Sequence, residues 1–280
     1  MIVYRTKTDL TGHLLSLQNE GKSIGLVPTM GALHQGHMSL VEKAAAENDV
    51  VVVTIFVNPT QFNDPSDLDL YPRTLDQDLE LLRQLEADLV FVPAVKEMYP
   101  DEETQVFDLG GLDKVMEGKH RPGHFNGVAQ IVSKLFLMIR PHRAYFGQKD
   151  FQQLVVIRRL VEILDMNLTI VSCPIIREKD GLAMSSRNTR LSKEERKLAP
   201  FIYETLVHAS ELLDALSPSQ LKEWVILQFK KQGALELEYF EIVEDKGLIP
   251  VNKWDEEVNK VACLAVLLGG VRLIDNLIFD

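Results

Sequence analysis

Two imidazoles three residues apart, His34 and His37, lie in the stretch Pro28-Thr29-Met30-Gly31-Ala32-Leu33-His34-Gln35-Gly36-His37. At that spacing both rings can face one anion across a single helical turn. Gly31 and Gly36 let the main chain approach a ligand closely. Free N–H groups at the start of a helix, reinforced by its dipole, attract phosphate. Neither GxGxxG nor a Walker-type GxxxxGK sequence occurs at this turn, which weakens the NAD and P-loop readings.

Two further segments suit phosphate. Gly147-Gln148-Lys149-Asp150 directly follows a short strand-like run, and Lys149 can neutralise phosphate charge there. Met184-Ser185-Ser186-Arg187-Asn188 sets two hydroxyl donors beside a guanidinium, a combination matched to polyphosphate oxygens. Alone, each also reads as an ordinary polar loop. Phe56-Val57-Asn58-Pro59-Thr60-Gln61-Phe62-Asn63 supplies Gln61, and Gln153 follows later. These neutral amides can orient hydroxyls or a carboxylate without the restraint that a cation would place on a nucleophilic carboxylate. Arg121-Pro122-Gly123-His124-Phe125 enters another helix and suits either closure of a site or a subunit contact. His13, His142 and His208 have no companions and read as structural.

The elements that must position these residues alternate along the first part of the chain. Ser23 to Val27 is an apolar run, followed by the histidine turn and a helical stretch from about Gly36 to Asn48. Val50 to Val57 is a continuous β-branched run, as expected for a strand buried on both faces. Thr74 and Gln77 have capping-box spacing, and Leu75, Leu79 and Leu82 form a helical stripe. Asp88–Pro93, Arg143–Phe146 and Leu168–Cys173 read as strands, with helices at His124–Ile139 and Asp150–Leu164. Five strands separated by helix-length segments predict βαβ units. The fold expected is α/β, a Rossmann-like doubly wound parallel sheet, whose ligands lie at the carboxyl ends of the strands.

After Pro174 the rhythm changes. Asp180-Gly181 marks a turn, Ser192 with Glu195 a capping box, and Ser217-Pro218-Ser219-Gln220 a second box with Pro at the first helical position. Two helices are expected after these caps, then strands at Leu235–Val243, Lys260–Leu268 and Val271–Ile278. This predicts a Rossmann-like domain over residues 1–176 and a smaller α+β C-terminal domain over 177–280.

The 280-residue chain is 46% hydrophobic and 25% charged, enough for a packed core without a metal or disulfide. A formal net charge of -11 argues against general affinity for nucleic acid or anionic membranes. Cys173 and Cys263 both sit in apolar runs with no CxxC, so two buried thiols in a reducing compartment are expected. The N-terminus lacks a signal-peptide h-region, and the longest apolar run, Val261 to Val271, is too short to span a bilayer. A soluble cytoplasmic protein is the expectation, with no nucleic acid and no membrane among its partners.

The ordered strings PTMGALHQGH, FVNPTQF, YPRT, EGKHRPGHF, FGQKDFQQ and DGLAMSSRN closely resemble the pantoate–β-alanine ligase (pantothenate synthetase) family over nearly the whole chain. The resemblance implies ATP-dependent condensation of pantoate with β-alanine to pantothenate, AMP and pyrophosphate, through a pantoyl-adenylate. It implies an ATP site formed by Met30, Gly31, Ala32, Leu33, His34, Gln35, Gly36 and His37. Gly147, Gln148, Lys149 and Asp150, backbone near Ile176, and Met184, Ser185, Ser186 and Arg187 would complete that site.

His37 would be the principal catalytic histidine, aided by His34, Lys149, Ser185, Ser186 and Arg187. Gln61 and Gln153 match the pantoate-holding glutamines, and Gln61 also adjoins β-alanine. Gln148 stands where many relatives carry Glu. Mg²⁺ is expected with the polyphosphate; no metal ligands are assigned, although Asp78 and Asp150 are conceivable outer partners. The family is typically a homodimer. Two other readings stay open: another nucleotidyltransferase with the His-x-Gly-His signature, and a nucleotide-sensing module without chemistry.

Overall fold

The computed structural model describes residues 1–85 and 87–279. Six strands form one parallel sheet: β1 (Ile2–Tyr4), β2 (Ile24–Thr29), β3 (Val50–Ile55), β4 (Leu89–Phe91), β5 (Arg143–Gly147) and β6 (Thr169–Cys173). Their order is β1-β4-β3-β2-β5-β6. Every residue of β3 is buried, because helices cover both of its faces and leave no side for polar alternation.

The helices of this part are α1 (Lys7–Asn19), α2 (Gln35–Glu47), α3 (Pro65–Asp69), α4 (Leu75–Gln84), α5 (Val95–Met98), α6 (Met116–His120), α7 (His124–Ile139) and α8 (Phe151–Ile163). Leu10, Leu14, Leu135, Phe136 and Leu160 from α1, α7 and α8 pack with Leu26 and Val52 on one face. Leu40, Val41, Leu79 and Leu82 from α2 and α4 pack with Val27, Val51 and Val53 on the other. This is the doubly wound α/β architecture the sequence predicts.

The sheet reverses direction of winding at β2. From β2 the chain moves to β3 on one side, and β5 later docks on the other. β2 pairs with β3 along its whole length, from Ile24↔Val50 to Thr29↔Ile55. With β5 it pairs only at Gly25↔Arg143 and Leu26↔Ala144. Beyond Leu26 the two strands part, and Pro28, which has no N–H to donate, sits where no β5 partner is needed. The crevice opened there is where ligands bind in open α/β sheets.

The rest of the chain builds α9 (Lys193–Leu198), α10 (Phe201–Ser210), α11 (Pro218–Gln232) and an antiparallel sheet of β7 (Glu236–Glu244), β8 (Lys260–Leu268) and β9 (Val271–Phe279), with β8 central. Leu206, Val225, Phe229, Leu264 and Val266 are among the core residues of this α+β part. It is also joined to the first part: Val243, Leu248, Val261 and Cys263 belong to the same apolar cluster as Leu112 and Phe125.

Three expectations need correction. The capping box at Thr74 and Gln77 does not form; the Thr74 hydroxyl donates instead to the Asp78 carboxylate at 3.2 Å. The hydroxyl is turned toward the carboxylate one turn away, and no helix N–H donates to it. Three helices, not two, follow the later caps, because the chain breaks between Leu198 and Phe201 at Pro200. Strand β1 and helix α1 are additional; three residues at a sheet edge carry too little pattern to be read. The Ser192 and Ser217 capping boxes form as expected. Both cysteines are free and buried. Among the described residues, no helix is long and apolar enough to cross a membrane.

Candidate active site

The turn between β2 and α2 departs from ordinary backbone. Gly31 has φ +79° and Ala32 φ +49°, both in the left-handed region. Such a turn persists only when its surroundings over-determine it. Here Asp78, 1% exposed at the start of α4, accepts from the Ala32 N–H at 3.0 Å and the Leu33 N–H at 2.8 Å. The Thr29 hydroxyl accepts from the Gly31 N–H at 3.2 Å. A Cβ on Gly31 would sit 3.0 Å from the Asp78 carboxylate, so glycine is needed both for φ and for this approach.

The turn delivers the two imidazoles in a defined state. His34 caps α2, and its Nδ1 accepts from the Gly36 N–H at 3.1 Å. His37 Nδ1 accepts from the His34 N–H at 3.3 Å. An Nδ1 that accepts from an amide carries no proton, so both neutral rings carry theirs on Nε2. The ring centroids are 4.0 Å apart. Burial, with the Lys149 cation adding to it, lowers the His34 pKa to about 4. Burial, then His34 and Lys149, lowers that of His37 to about 3. At neutral pH the pair is uncharged and offers two Nε2–H donors.

These side chains line one cleft at the β2/β5 switch point, about 1250 Å³ including its open mouth. Met30, His34, Gly36 and His37 from the first turn line it. So do Gly147, Lys149 and Asp150 after β5, Ile176, and Met184, Ser185, Ser186 and Arg187. Gln61 and Gln153 face the same space, and Val128, Ile131, Val132 and Leu135 from α7 supply an apolar wall. Three segments far apart in sequence therefore converge.

Gly31, Ala32, Leu33, Gln35 and Gln148 do not line this cleft. The Ala32 and Leu33 amides already bond Asp78, and the Gln148 carbonyl accepts from Asn276 of β9 at 2.9 Å. Asn276 Nδ2 also bonds the Lys149 carbonyl at 2.9 Å, so the C-terminal sheet braces the lysine loop. Its neighbour Asp275, almost fully buried, pairs with Arg177 at 2.6 Å; burial outweighs that cation and raises the carboxyl pKa.

Asn58 and Tyr71 entered the sequence reading only within longer strings, and Arg121 and His124 only as a loop suited to closing the site or to a subunit contact. Asn58, 1% exposed, donates to the Gln61 side-chain oxygen at 3.1 Å and accepts from the Tyr99 hydroxyl at 2.7 Å. The Gln61 amide oxygen is thereby engaged, and its NH₂ group donates one hydrogen to the Met30 sulfur at 3.1 Å, which leaves the second N–H for a ligand. Asn58 lies three residues before Gln61 in a segment already marked for its glutamine, so its signal was at hand. His124 donates through Nδ1 to the Gln61 carbonyl at 2.8 Å, and Arg121 lies beside it at 3.2 Å. Tyr71 reaches the Ser186 hydroxyl at 3.5 Å, and Arg187 pairs with Asp67 at 2.9 Å.

Among the described residues, no group of three or more His, Cys, Asp or Glu side chains is placed to hold a metal ion. Asp78 faces the turn amides, whereas Asp150 lines the cleft.

This geometry can be compared with known proteins. The family model described as pantoate-beta-alanine ligase matches residues 2–278. A pantothenate synthetase of Porphyromonas gingivalis is 51% identical over 280 residues, covering 100% of both chains. One of Phocaeicola vulgatus is 53% identical over 278 residues and 99% of each chain. The crystal structure of pantothenate synthetase from Thermus thermophilus superposes with a TM-score of 0.91 at 40% identity, covering 99% of each chain. A pantoate-beta-alanine ligase from Francisella tularensis, in complex with beta-gamma ATP and beta-alanine, gives 0.83 at 37% identity over 99% of this chain and 97% of its own. Motif order, full-length similarity and shared fold agree: the chain belongs to the pantoate–β-alanine ligase family.

Proposed function

We propose that this chain condenses (R)-pantoate with β-alanine at the cost of ATP, yielding pantothenate, AMP and pyrophosphate through a pantoyl-adenylate. The observation that carries this reading is the convergence of the His34/His37 turn, the Lys149 loop and the Ser185–Arg187 loop on one cleft that also holds Gln61 and Gln153. A different nucleotidyltransferase acting on a phosphate ester would need cations where these two neutral amides stand.

The chemistry follows from the groups present. A carboxylate of pKa about 4 is already ionised at neutral pH, so attack on the α-phosphate needs no general base. It needs alignment, and donors fixed where charge develops on the departing pyrophosphate. His34 and His37 serve as neutral Nε2–H donors, and Lys149, Ser185, Ser186 and Arg187 as cations and hydroxyl donors. The Gln61 NH₂ group and Gln153 hold pantoate, whose branched carbon skeleton suits the wall of Val128, Ile131 and Val132. Neither imidazole presents a free lone pair to the cleft, so neither is cast as the base for β-alanine's amine.

Met30 and Gly36, Gly147 and Asp150, and Ile176 and Met184 form the remaining nucleotide surface. Gly31, Ala32, Leu33, Gln35 and Gln148 contribute through the shape of their loops. Asp150, which lines the cleft, would lie nearest a Mg²⁺ ion accompanying ATP, and the ion would supply neutralisation of phosphate charge. Residues 1–176 and 177–280 act as two units, the second closing over the site. The enzyme works in the cytoplasm as a homodimer.

Pyrophosphate release measured with ATP, pantoate and β-alanine tests the reading. Release that requires pantoate supports it. Release independent of pantoate points to another transferase, and none with any acid points to a sensor.

A further inference from the structure

A second cleft adjoins the first. It shares Lys149, Asp150, Ser185 and Arg187 with the reaction cavity and continues to Arg121, Arg190 and Arg272. Arg272 already has two carboxylate partners, Glu117 and Glu238. Arg187 and Arg190 instead converge on one carboxylate, Asp67, at 2.9 and 3.1 Å. Arg121 lies close enough to act on the same group, and the crowding of guanidinium charge there depresses its own pKa after burial.

Asp67 sits on α3, a five-residue helix with no buried residue. It is thus an anion on a weakly anchored segment, placed where cations gather beside the phosphate-binding loop. Each guanidinium gives Asp67 a single nitrogen, and the carboxylate charge it neutralises weakens its pull on a phosphate in the same cleft.

We propose that this second cleft receives the pyrophosphate leaving group and that Asp67 is a tethered competitor for it, holding Arg187 and Arg190 until phosphate displaces it and helping expel pyrophosphate afterwards. The inference rests on the ligase reading for the identity of the anion. No bond is made or broken; ion-pair partners exchange, with Arg187 leaving the Asp67 carboxylate for a phosphate oxygen. Partly exposed pairs of this kind, with side chains 25–30% exposed, are each worth up to about 1 kcal/mol, a factor of roughly five. Removing the competitor should therefore strengthen polyphosphate binding about 3- to 10-fold.

The test is calorimetric titration of the full chain with magnesium pyrophosphate and, separately, with AMP, in native protein and in Asp67→Asn and Asp67→Ala. Thermal unfolding confirms that each variant is folded. Pyrophosphate binding tightened 3- to 10-fold, with AMP affinity unchanged and the KM for ATP lowered in parallel, is the expected result. Unchanged or weaker pyrophosphate binding overturns the proposal, because a carboxylate that merely fastens the loop leaves affinity flat or reduces it. Equal tightening of AMP overturns it too, since that reports a general loosening. Binding needs no turnover, so an absence of ligase activity in the native chain would refute the reaction without deciding this competition.

Discussion

Asp78→Asn puts the strained nucleotide turn to a direct test. The native carboxylate accepts from Ala32 N–H at 3.0 Å, Leu33 N–H at 2.8 Å and the Thr74 hydroxyl at 3.2 Å. An amide has only one oxygen. Placed toward Leu33 and Thr74, it keeps two of these bonds and turns its NH₂ group on the Ala32 N–H, donor against donor. The loss is one hydrogen bond to a charged acceptor at a site 1% exposed, about 1.5–3 kcal/mol.

At roughly 2 cal/mol/K of unfolding entropy per residue, 280 residues translate that into a melting point lower by ~3–5 °C. Ala32, at φ +49°, is then free to leave the left-handed region, carrying His34 and His37 with it. With 1.4 kcal/mol per decade, kcat/KM for ATP should fall about 10- to 100-fold. The KM for β-alanine should change much less. Steady-state kinetics with each substrate varied in turn, beside thermal unfolding, read both effects. A variant that melts lower but keeps kcat/KM for ATP within twofold would show that Asp78 stabilises the fold without positioning the turn.

Other outcomes follow from the same geometry. His37→Ala should slow single-turnover adenylate formation at least ~100-fold, the scale of a lost transition-state donor; near-native rates in quenched flow would refute its role. At Gly127 an added Cβ would lie 2.3 Å from the Thr60 carbonyl and 2.6 Å from the Gln61 nitrogen, both backbone. Gly127→Ala should therefore cost about 1–3 kcal/mol of stability and raise the KM for pantoate more than that for ATP, with equal increases counting against the assignment of Gln61.

Folding lowers the pKa of His34 to about 4, of His37 to about 3 and of His124 to about 4, in each case chiefly through burial. Above pH 6.5 neither folded nor unfolded chain protonates these rings. Below it the unfolded chain gains protons that the folded one refuses, so stability should decline from pH 6.5 toward 4. Denaturant titrations across that range check this, and a stability rising on acidification would contradict the buried, neutral assignment.

The parallel sheet was legible because its inner strands β2 and β3 are covered on both faces. Val50–Ile55 is buried at every position and carries only Thr54 as a polar residue, and Pro93, Gly147 and Pro174 mark the ends of β4, β5 and β6. The Ser192 and Ser217 caps were legible because all their partners lie within three residues. The three phosphate-compatible loops could be found because each is continuous in sequence. Their supports could not. Asp78 acts on amides 45 and 46 residues away, and Asp67 on Arg187 at a separation of 120. Thr74 shows the limit of local rules: its spacing to Gln77 is right for a box, yet a buried carboxylate on the next turn takes the hydroxyl.

A crystal structure of the chain with a non-hydrolysable ATP analogue and pantoate is the most direct measurement. His37 Nε2, Lys149 Nζ and the Arg187 guanidinium should all lie within hydrogen-bond distance of a single triphosphate, with the pantoate carboxylate in line with the α-phosphate and near Gln61 and Gln153. A nucleotide bound elsewhere, or phosphates touching only one of the three loops, would contradict the account.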